Sequence, residues 1–144
     1  MDTIFKRTIP NDIYSLQTLM NASTNFLEDQ GVDDQSVYRI NLALEEMITN
    51  TIKHGYNDYE DHEIQVSIEV LNDEIVGLIE DNGHEFDPLT QTGGERKASL
   101  EELPIGGLGI QLIKKLLDHI DYRRENGKNI LEIRTRRQLS ARSA

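Results

Sequence analysis

The stretch from Leu44 to Tyr56, LEEMITNTIKHGY, constrains the fold of this chain more than any other. Its polar and apolar residues separate at helical spacing, which predicts an amphipathic helix that stops at Gly55. Glu46, Asn50 and Lys53 lie on the predicted polar face. The apolar face, extended upstream, consists of Val37, Ile40, Leu44, Met47, Ile48 and Thr51. The rest of the chain must therefore supply a layer that covers this apolar face.

Glu46 and Asn50 are four residues apart, so their side chains project next to each other on such a helix. A carboxylate beside a neutral amide suits a phosphate and metal site. The carboxylate can take a proton or orient a water, and the amide oxygen can ligate Mg²⁺. Taken alone, however, an ordinary solvated helix face explains the pair better, because such polar pairs are common on surface helices.

The bulk properties of the chain exclude several functions. With 144 residues, the chain has the size of one domain, and we expect a single domain over 1–144. The net charge of -11 argues against direct nucleic-acid binding, and the absence of cysteine excludes disulfides and thiol chemistry. No apolar run approaches the ~20 residues of a membrane span, and the N-terminus lacks the apolar core of a signal peptide. We therefore expect a cytoplasmic protein without a membrane anchor.

Local patterns predict the element order β-α-α-β-β-lid-α-β-β. Asn11 or Asp12 can cap the first helix, and Asp33 or Asp34 the second. The strand at 75–79 is almost wholly apolar, which is typical of a strand covered on both sides. The other predicted elements are strands at 3–9, 64–70, 120–125 and 130–136, a first helix with the apolar face Ile13, Leu16, Leu19, Met20 and Leu27, and the turn Asn126-Gly127. This order predicts an α+β fold, a two-layer α/β sandwich with a mixed, mostly antiparallel sheet and helices on one face.

Residues 84–105 lose all periodicity and form a long polar stretch punctuated by proline and glycine. A stretch of this length inside a compact domain is usually a functional lid or a disordered insert. Arg96 and Lys97 could reach over a triphosphate from such a lid. A solvated loop explains each of these two residues as well.

Asp81-Asn82-Gly83 follows the apolar strand at 75–79. A lone carboxylate at a strand end can accept a hydrogen bond from an exocyclic amine such as that of adenine. Gly83 would let the chain turn tightly and let a flat base approach the backbone. A plain turn is the simpler explanation of these three residues alone.

Gly106-Gly107-Leu108-Gly109 opens the predicted third helix, whose core face is Ile113, Leu116, Leu117 and Ile120. Glycines at a helix start leave the first amide groups unobstructed, and the helix dipole adds partial positive charge, so the segment can hold phosphates. It is neither a Walker A motif nor a dinucleotide fingerprint. A flexible hinge is the alternative, although three glycines in four residues favour a functional role.

Together, these motifs resemble the GHKL-type (Bergerat-type) ATP-binding fold of histidine kinases, gyrase and MutL. The sequences EEMITN at 45–50 and HGY at 54–56 are most similar to the anti-sigma factor serine/threonine kinases. DNG at 81–83, running into FDP at 86–88, and GLGIQLI at 107–113 match the same family. The resemblance covers nearly the whole chain. Glu85 departs from the usual pattern because it occupies the place of a second glycine.

This resemblance implies a role for each matching residue. Glu46 would be the general base or the residue that orients the attacking group, Asn50 would ligate Mg²⁺, and Lys53 could contact a phosphate. Asp81 would bind the adenine amine with Gly83 beside the base. The remaining nucleotide-binding residues would be Gly106, Gly107, Leu108 and Gly109, with ATP and Mg²⁺ as the cofactors.

The resemblance also implies the activity. The protein would be an ATP-dependent serine/threonine kinase that phosphorylates a small anti-anti-sigma (STAS) protein and thereby regulates a sigma factor, and it would form a homodimer. Two alternatives remain open. One is a non-catalytic ATP-binding module of the same fold, and the other is a solitary ATPase that activates another enzyme by docking.

Overall fold

The structure, a computed structural model, describes residues 3–54, 62–90 and 107–137. Its strands and helices occur in the predicted order. The elements are β1 (Ile4–Pro10), α1 (Ile13–Asp29), α2 (Asp34–His54), β2 (Glu63–Val70), β3 (Glu74–Asp81), a 3-10 turn (Pro88–Thr90), α3 (Gly107–Leu116), β4 (His119–Glu125) and β5 (Lys128–Arg136).

The five strands form one sheet in the order β1-β2-β3-β5-β4. The α+β sandwich is confirmed. Every described pairing is antiparallel, however, so the parallel component of the expected mixed sheet is absent among these strands. Two of the four pairings, β2–β3 and β4–β5, are hairpins, and a hairpin joins antiparallel strands. Asn126 and Gly127 have φ values of 52° and 75°, the positive values that a tight type I′ hairpin turn requires.

The core lies between the sheet and the helices. Alternate residues of β2 and β3 are buried, because successive strand side chains point to opposite faces. The predicted apolar face of α2 is confirmed, since all six of its residues are buried. The largest fully buried side chains are Leu19, Leu27, Ile40, Leu44, Met47, Ile48, Ile64, Ile68, Ile75, Ile79, Ile110 and Ile113.

Three details of the predicted core are corrected. In β3, Val76 and Leu78 remain half-exposed, so the described elements cover this strand fully on one face only. Ile13 is 46% exposed because it begins α1, ahead of the first turn that reaches the sheet. Ile120 belongs to β4, not to the core face of α3, because that helix already ends at Leu116.

Two aspartates cap the first helices, which resolves the alternatives left by the sequence. Asp12 Oδ1 accepts a hydrogen bond from the Ser15 amide at 2.8 Å. Asp33 Oδ2 accepts one from the Ser36 amide at 3.1 Å. Each cap satisfies an amide that would otherwise lack an intrahelical partner. The caps therefore fix where α1 and α2 begin.

Among residues 3–54, 62–90 and 107–137, no helix is both long enough and apolar enough to cross a membrane.

Candidate functional site

Glu46 lies at the middle of α2, on the side that α3 covers. Its Oε1 atom is buried and has no hydrogen-bond partner in the described structure. The carboxylate lies against Gly109, where a β-carbon would overlap Glu46 Cδ and both carboxylate oxygens. A buried acceptor without a partner is costly and marks a site where a ligand or water can supply the missing bond.

The environment of Glu46 favours its protonated form. Burial raises the pKa of this carboxyl above its ordinary value, and the neighbouring Glu45 charge adds to the shift. The Asn50 amide and the Lys53 charge oppose it. A carboxylate with a raised pKa is a better proton acceptor than an ordinary glutamate, as general-base catalysis requires.

Asn50 is more buried than the sequence predicted. The helical pattern assigned it to a polar face, but it is only 6% exposed because α3 packs on that side of α2. Its Nδ2 donates to the Glu46 carbonyl oxygen at 2.7 Å. The amide nitrogen is thus engaged by the helix, and the side-chain oxygen is the end that remains available to a cation.

The C-terminal turn of α2 contacts the loop that follows β3. The rings of His54 and Phe86 lie with centroids 5.7 Å apart. Lys53 is exposed beside this contact, one turn after Asn50. This contact brings the polar end of α2 to the loop that follows Asp81.

Asp81 ends β3 and is 5% exposed. Its Oδ1 accepts hydrogen bonds from the Gly83 amide at 2.8 Å and from Asn129 Nδ2 at 3.1 Å. The first of these is the turn that the simpler explanation predicted. The burial and the second bond go beyond a surface turn, and they fit a carboxylate built into a site.

Burial raises the pKa of Asp81. The Asn129 amide, the Gly83 amide and the charges of Arg124 and His84 oppose this shift. These donors offset the effect of burial only in part, so the pKa of this carboxyl remains above its ordinary value.

The helix α2, the loop after β3 and the glycine-rich start of α3 contact one another in pairs. Glu46 of α2 contacts Gly109 of α3, and His54 of α2 contacts Phe86 of the loop after β3. Lys114 of α3 donates to the Leu89 carbonyl oxygen in that loop at 2.8 Å. The tertiary structure therefore assembles the helix, the strand end and the glycine-rich segment around one region.

Sequence reasoning missed Asn129, Tyr122 and Arg124, which hold the Asp81 turn from β4 and β5. Arg124 Nη1 donates to the Gly83 carbonyl oxygen at 3.1 Å, and Tyr122 donates to Asn129 Oδ1 at 2.6 Å. One signal could have found Asn129. It shares the buried face of β5 with Leu131 and Ile133, and a buried amide needs partners.

Part of the predicted site lies outside the described residues. Gly106, Arg96, Lys97 and most of the predicted lid (84–105) belong to this part, as does Gly55. Gly107, Leu108 and Gly109 are the first three residues of α3, which agrees with the predicted helix start.

The described residues fit ATP and Mg²⁺ in two respects. The partnerless Oε1 of Glu46 lies beside Gly109 at the start of α3, where helix amides favour a phosphate. No group of three or more His, Cys, Asp or Glu side chains in the described part of the chain could hold a metal ion. Mg²⁺ usually binds one or two protein groups together with substrate phosphates and water, and the side-chain oxygen of Asn50 could serve as one such group because only the amide nitrogen is engaged by the helix.

Comparison with known families identifies the class of protein. Residues 9–135 match the histidine kinase-like ATPase domain family, and the chain belongs to this family.

Within that class, the chain is similar to proteins named serine-protein kinase RsbW. It is 32% identical to the protein of Oceanobacillus iheyensis over 105 residues, which are 70% of this chain and 66% of that protein. It is 30% identical to the protein of Listeria innocua over 105 residues, 70% of this chain and 67% of the relative. The chain thus spans about two thirds of the length of these relatives.

A solved structure shares the fold. The crystal structure of the RsbU and RsbW domains of Rv1364c from Mycobacterium tuberculosis superposes with a TM-score of 0.67 at 14% identity, over 96% of this chain and 33% of that one. At this identity the similarity concerns the fold alone.

Proposed function

We propose that this protein is an anti-sigma factor-type serine/threonine kinase. It would bind ATP with Mg²⁺, phosphorylate a small anti-anti-sigma (STAS) protein and so regulate a sigma factor. Its family and the names of its relatives support this class of activity. The observation that carries the proposal is the half-buried Glu46 carboxylate, with one partnerless oxygen, beside Asn50 and Gly109.

In the proposed reaction, Glu46 accepts the proton of the partner's serine or threonine hydroxyl. The hydroxyl oxygen then bonds to the γ-phosphorus, the bond from that phosphorus to the bridging oxygen breaks, and ADP leaves. Asn50 would hold Mg²⁺, which when bound neutralises charge on the phosphates. Lys53 and the amides at 106–109 would bind phosphate oxygens.

The nucleotide base would lie at the end of β3. Asp81 would accept the exocyclic amine of adenine, with Gly83 beside the ring. Two observations support this assignment. Asp81 is buried, and both of its hydrogen bonds are made to Oδ1. A site built on such a bond rejects bases that lack the amine.

The assembly and location of the protein follow the same proposal. We expect a homodimer of single-domain chains that acts in the cytoplasm and binds both the sigma factor and the anti-anti-sigma protein. Light scattering of the purified chain, alone and with each partner, measures the stoichiometry directly.

One observation favours a second function, a non-catalytic ATP-binding module. The Glu46 carboxylate packs against the backbone of Gly109. If Glu46 keeps this contact when ATP binds, it would position α3 instead of receiving a proton. The protein would then use ATP to set the geometry of its partner surface.

Incubation with γ-labelled ATP, Mg²⁺ and a candidate anti-anti-sigma protein separates these functions. Label on a serine or threonine of the partner supports the kinase. Bound but uncleaved ATP supports the binding module. Release of labelled inorganic phosphate without labelled partner indicates an ATPase that acts by docking, and contradicts the kinase.

A further inference from the structure

Asn129 is the centre of a buried hydrogen-bond network at the end of the sheet. It is 3% exposed and lies on β5 directly opposite Asp81 of β3 in the antiparallel register. Nδ2 donates to Asp81 Oδ1 at 3.1 Å and to the His84 carbonyl oxygen at 2.8 Å. Oδ1 accepts from the Tyr122 hydroxyl at 2.6 Å, from Arg124 Nη1 at 3.0 Å and from the Phe86 amide at 3.4 Å.

These partners allow only one orientation of the Asn129 amide. The Asp81 carboxylate and the His84 carbonyl oxygen accept hydrogen bonds, so they require the nitrogen. Arg124 and the Phe86 amide can only donate, so they require the oxygen. A rotated amide would lose all four bonds, and Asn129 therefore presents a donor to Asp81.

This fixed donor determines how Asp81 faces its surroundings. Both hydrogen bonds to the Asp81 carboxylate, from the Gly83 amide and from Asn129, are made to Oδ1. No described residue donates to Oδ2. The carboxylate is thus held by one oxygen, and the other oxygen remains a free acceptor.

We propose that Asn129 is the positioning residue for base recognition, because it holds Asp81 Oδ1 and leaves Oδ2 to accept the exocyclic amine of adenine. The inference deepens the proposed function and rests on Asp81 as the adenine-binding residue. It adds a residue of the last strand that acts through Asp81 without touching the base.

The surrounding charges agree with this role. Burial raises the pKa of Asp81, whereas the Asn129 amide and the charges of Arg124 from β4 and His84 from the adjoining loop lower it. Tyr122, also on β4, donates to Asn129 and not to Asp81. Loss of the Asn129 donor should therefore shift the ionisation of Asp81 to higher pH, whereas a merely structural role would leave it unchanged.

The test measures calorimetric dissociation constants for ATP and for purine riboside triphosphate, which lacks the exocyclic amine. Asn129→Asp removes the donor but keeps the acceptor for Tyr122, Arg124 and the Phe86 amide. Asn129→Ser removes the amide without adding charge. Asn41→Asp is the matched control, because Asn41 is an interhelical amide bonded to Ser23 and Thr24 away from this site.

We expect the wild type and Asn41→Asp to prefer ATP by about 10-fold or more. Asn129→Asp and Asn129→Ser should reduce this preference to roughly 3-fold or less, since Asp81 is no longer held. The pH at which ATP affinity is half-lost should rise in Asn129→Ser. Circular dichroism shows which variants fold. One folded Asn129 variant is enough to test the proposal.

The results distinguish two failures. If the wild type shows no preference for ATP, or Asp81→Asn keeps it, base recognition by Asp81 is wrong. If Asp81→Asn loses the preference while a folded Asn129 variant keeps both the preference and the pH dependence, the positioning role of Asn129 is overturned. Loss of stability in the Asn129 variants with unchanged preference likewise contradicts it.

Discussion

The Glu46 carboxylate occupies the space that a β-carbon on Gly109 would need. These residues are 63 positions apart in the chain, on α2 and α3. The contact explains why a glycine stands inside a helix, where it is ordinarily unfavourable. It also explains the burial of Glu46 Oε1, and burial raises the pKa of this carboxyl as a general base requires.

Gly109→Ala should destabilise the protein by about 1–3 kcal/mol, because the added methyl group must displace a packed carboxylate. In a Glu46→Ala background the same change should become neutral or stabilise by up to about 1 kcal/mol, through helix propensity alone. Urea unfolding of the four proteins of this double-mutant cycle measures the difference. Equal effects of Gly109→Ala in both backgrounds would show that the contact carries no energy.

Glu46→Gln should lower phosphoryl transfer to the anti-anti-sigma protein by about 10²–10⁴-fold, because the amide cannot accept the hydroxyl proton. Its affinity for ATP should change little. Glu45→Gln is the matched control, since the adjacent Glu45 is exposed, and it should transfer at the wild-type rate. Full transfer by Glu46→Gln would refute the assignment of the base, even with Glu45→Gln behaving as expected.

Asp81→Asn should weaken ATP binding by about 10–100-fold, which corresponds to the loss of one hydrogen bond to a charged group. Calorimetric titration with ATP and GTP measures this. Asp73→Asn, in the exposed β2–β3 turn, serves as the control and should bind as the wild type does. Unchanged ATP affinity in Asp81→Asn, with GTP still failing to bind, would show that another residue reads the base.

The stability conferred by Asp81 should depend on pH. Burial raises its pKa in the folded protein above the unfolded value of about 3.9, so the folded state binds the proton more tightly. The protonated form therefore contributes stability below about pH 3.9, and this contribution is lost as the pH rises through the folded pKa. Asp81→Asn keeps an acceptor for the Gly83 amide and Asn129 but does not titrate.

Urea unfolding at about pH 4.5 and pH 7.5 tests this expectation. The free energy of unfolding of the wild type should fall relative to Asp81→Asn between these two values. A difference that grows with pH would mean that the donors around Asp81, led by Asn129, outweigh its burial.

The order of the elements could be predicted because its signals are local. The alternation of Ile64, Val66, Ile68 and Val70 predicts a strand with one buried face. The apolar face of α2 predicts a helix that packs against another layer. Asn126-Gly127 encodes its hairpin in two residues. Each pattern depends on backbone geometry over a few positions, so no partner element was needed to recognise it.

The composition of the site was predictable to a lesser degree. Residue types and spacing make Glu46, Asn50, Asp81 and Gly109 candidates, and the family resemblance assigns their roles. The structure places them on elements that meet. The burial of Asn50 was not predictable, because helical periodicity shows which residues share a face and cannot show that α3 covers it.

The sequence by itself determined the helices, the strands, the hairpin turn and the residue types available for phosphate and base recognition, since these follow from local periodicity and turn chemistry. Only the tertiary structure decided that Gly109 accommodates Glu46 and that Asn129 holds Asp81 across 48 residues of chain. The physical reason is that both contacts depend on which elements pack together and in which register. Packing and register are properties of the whole sheet and its helices.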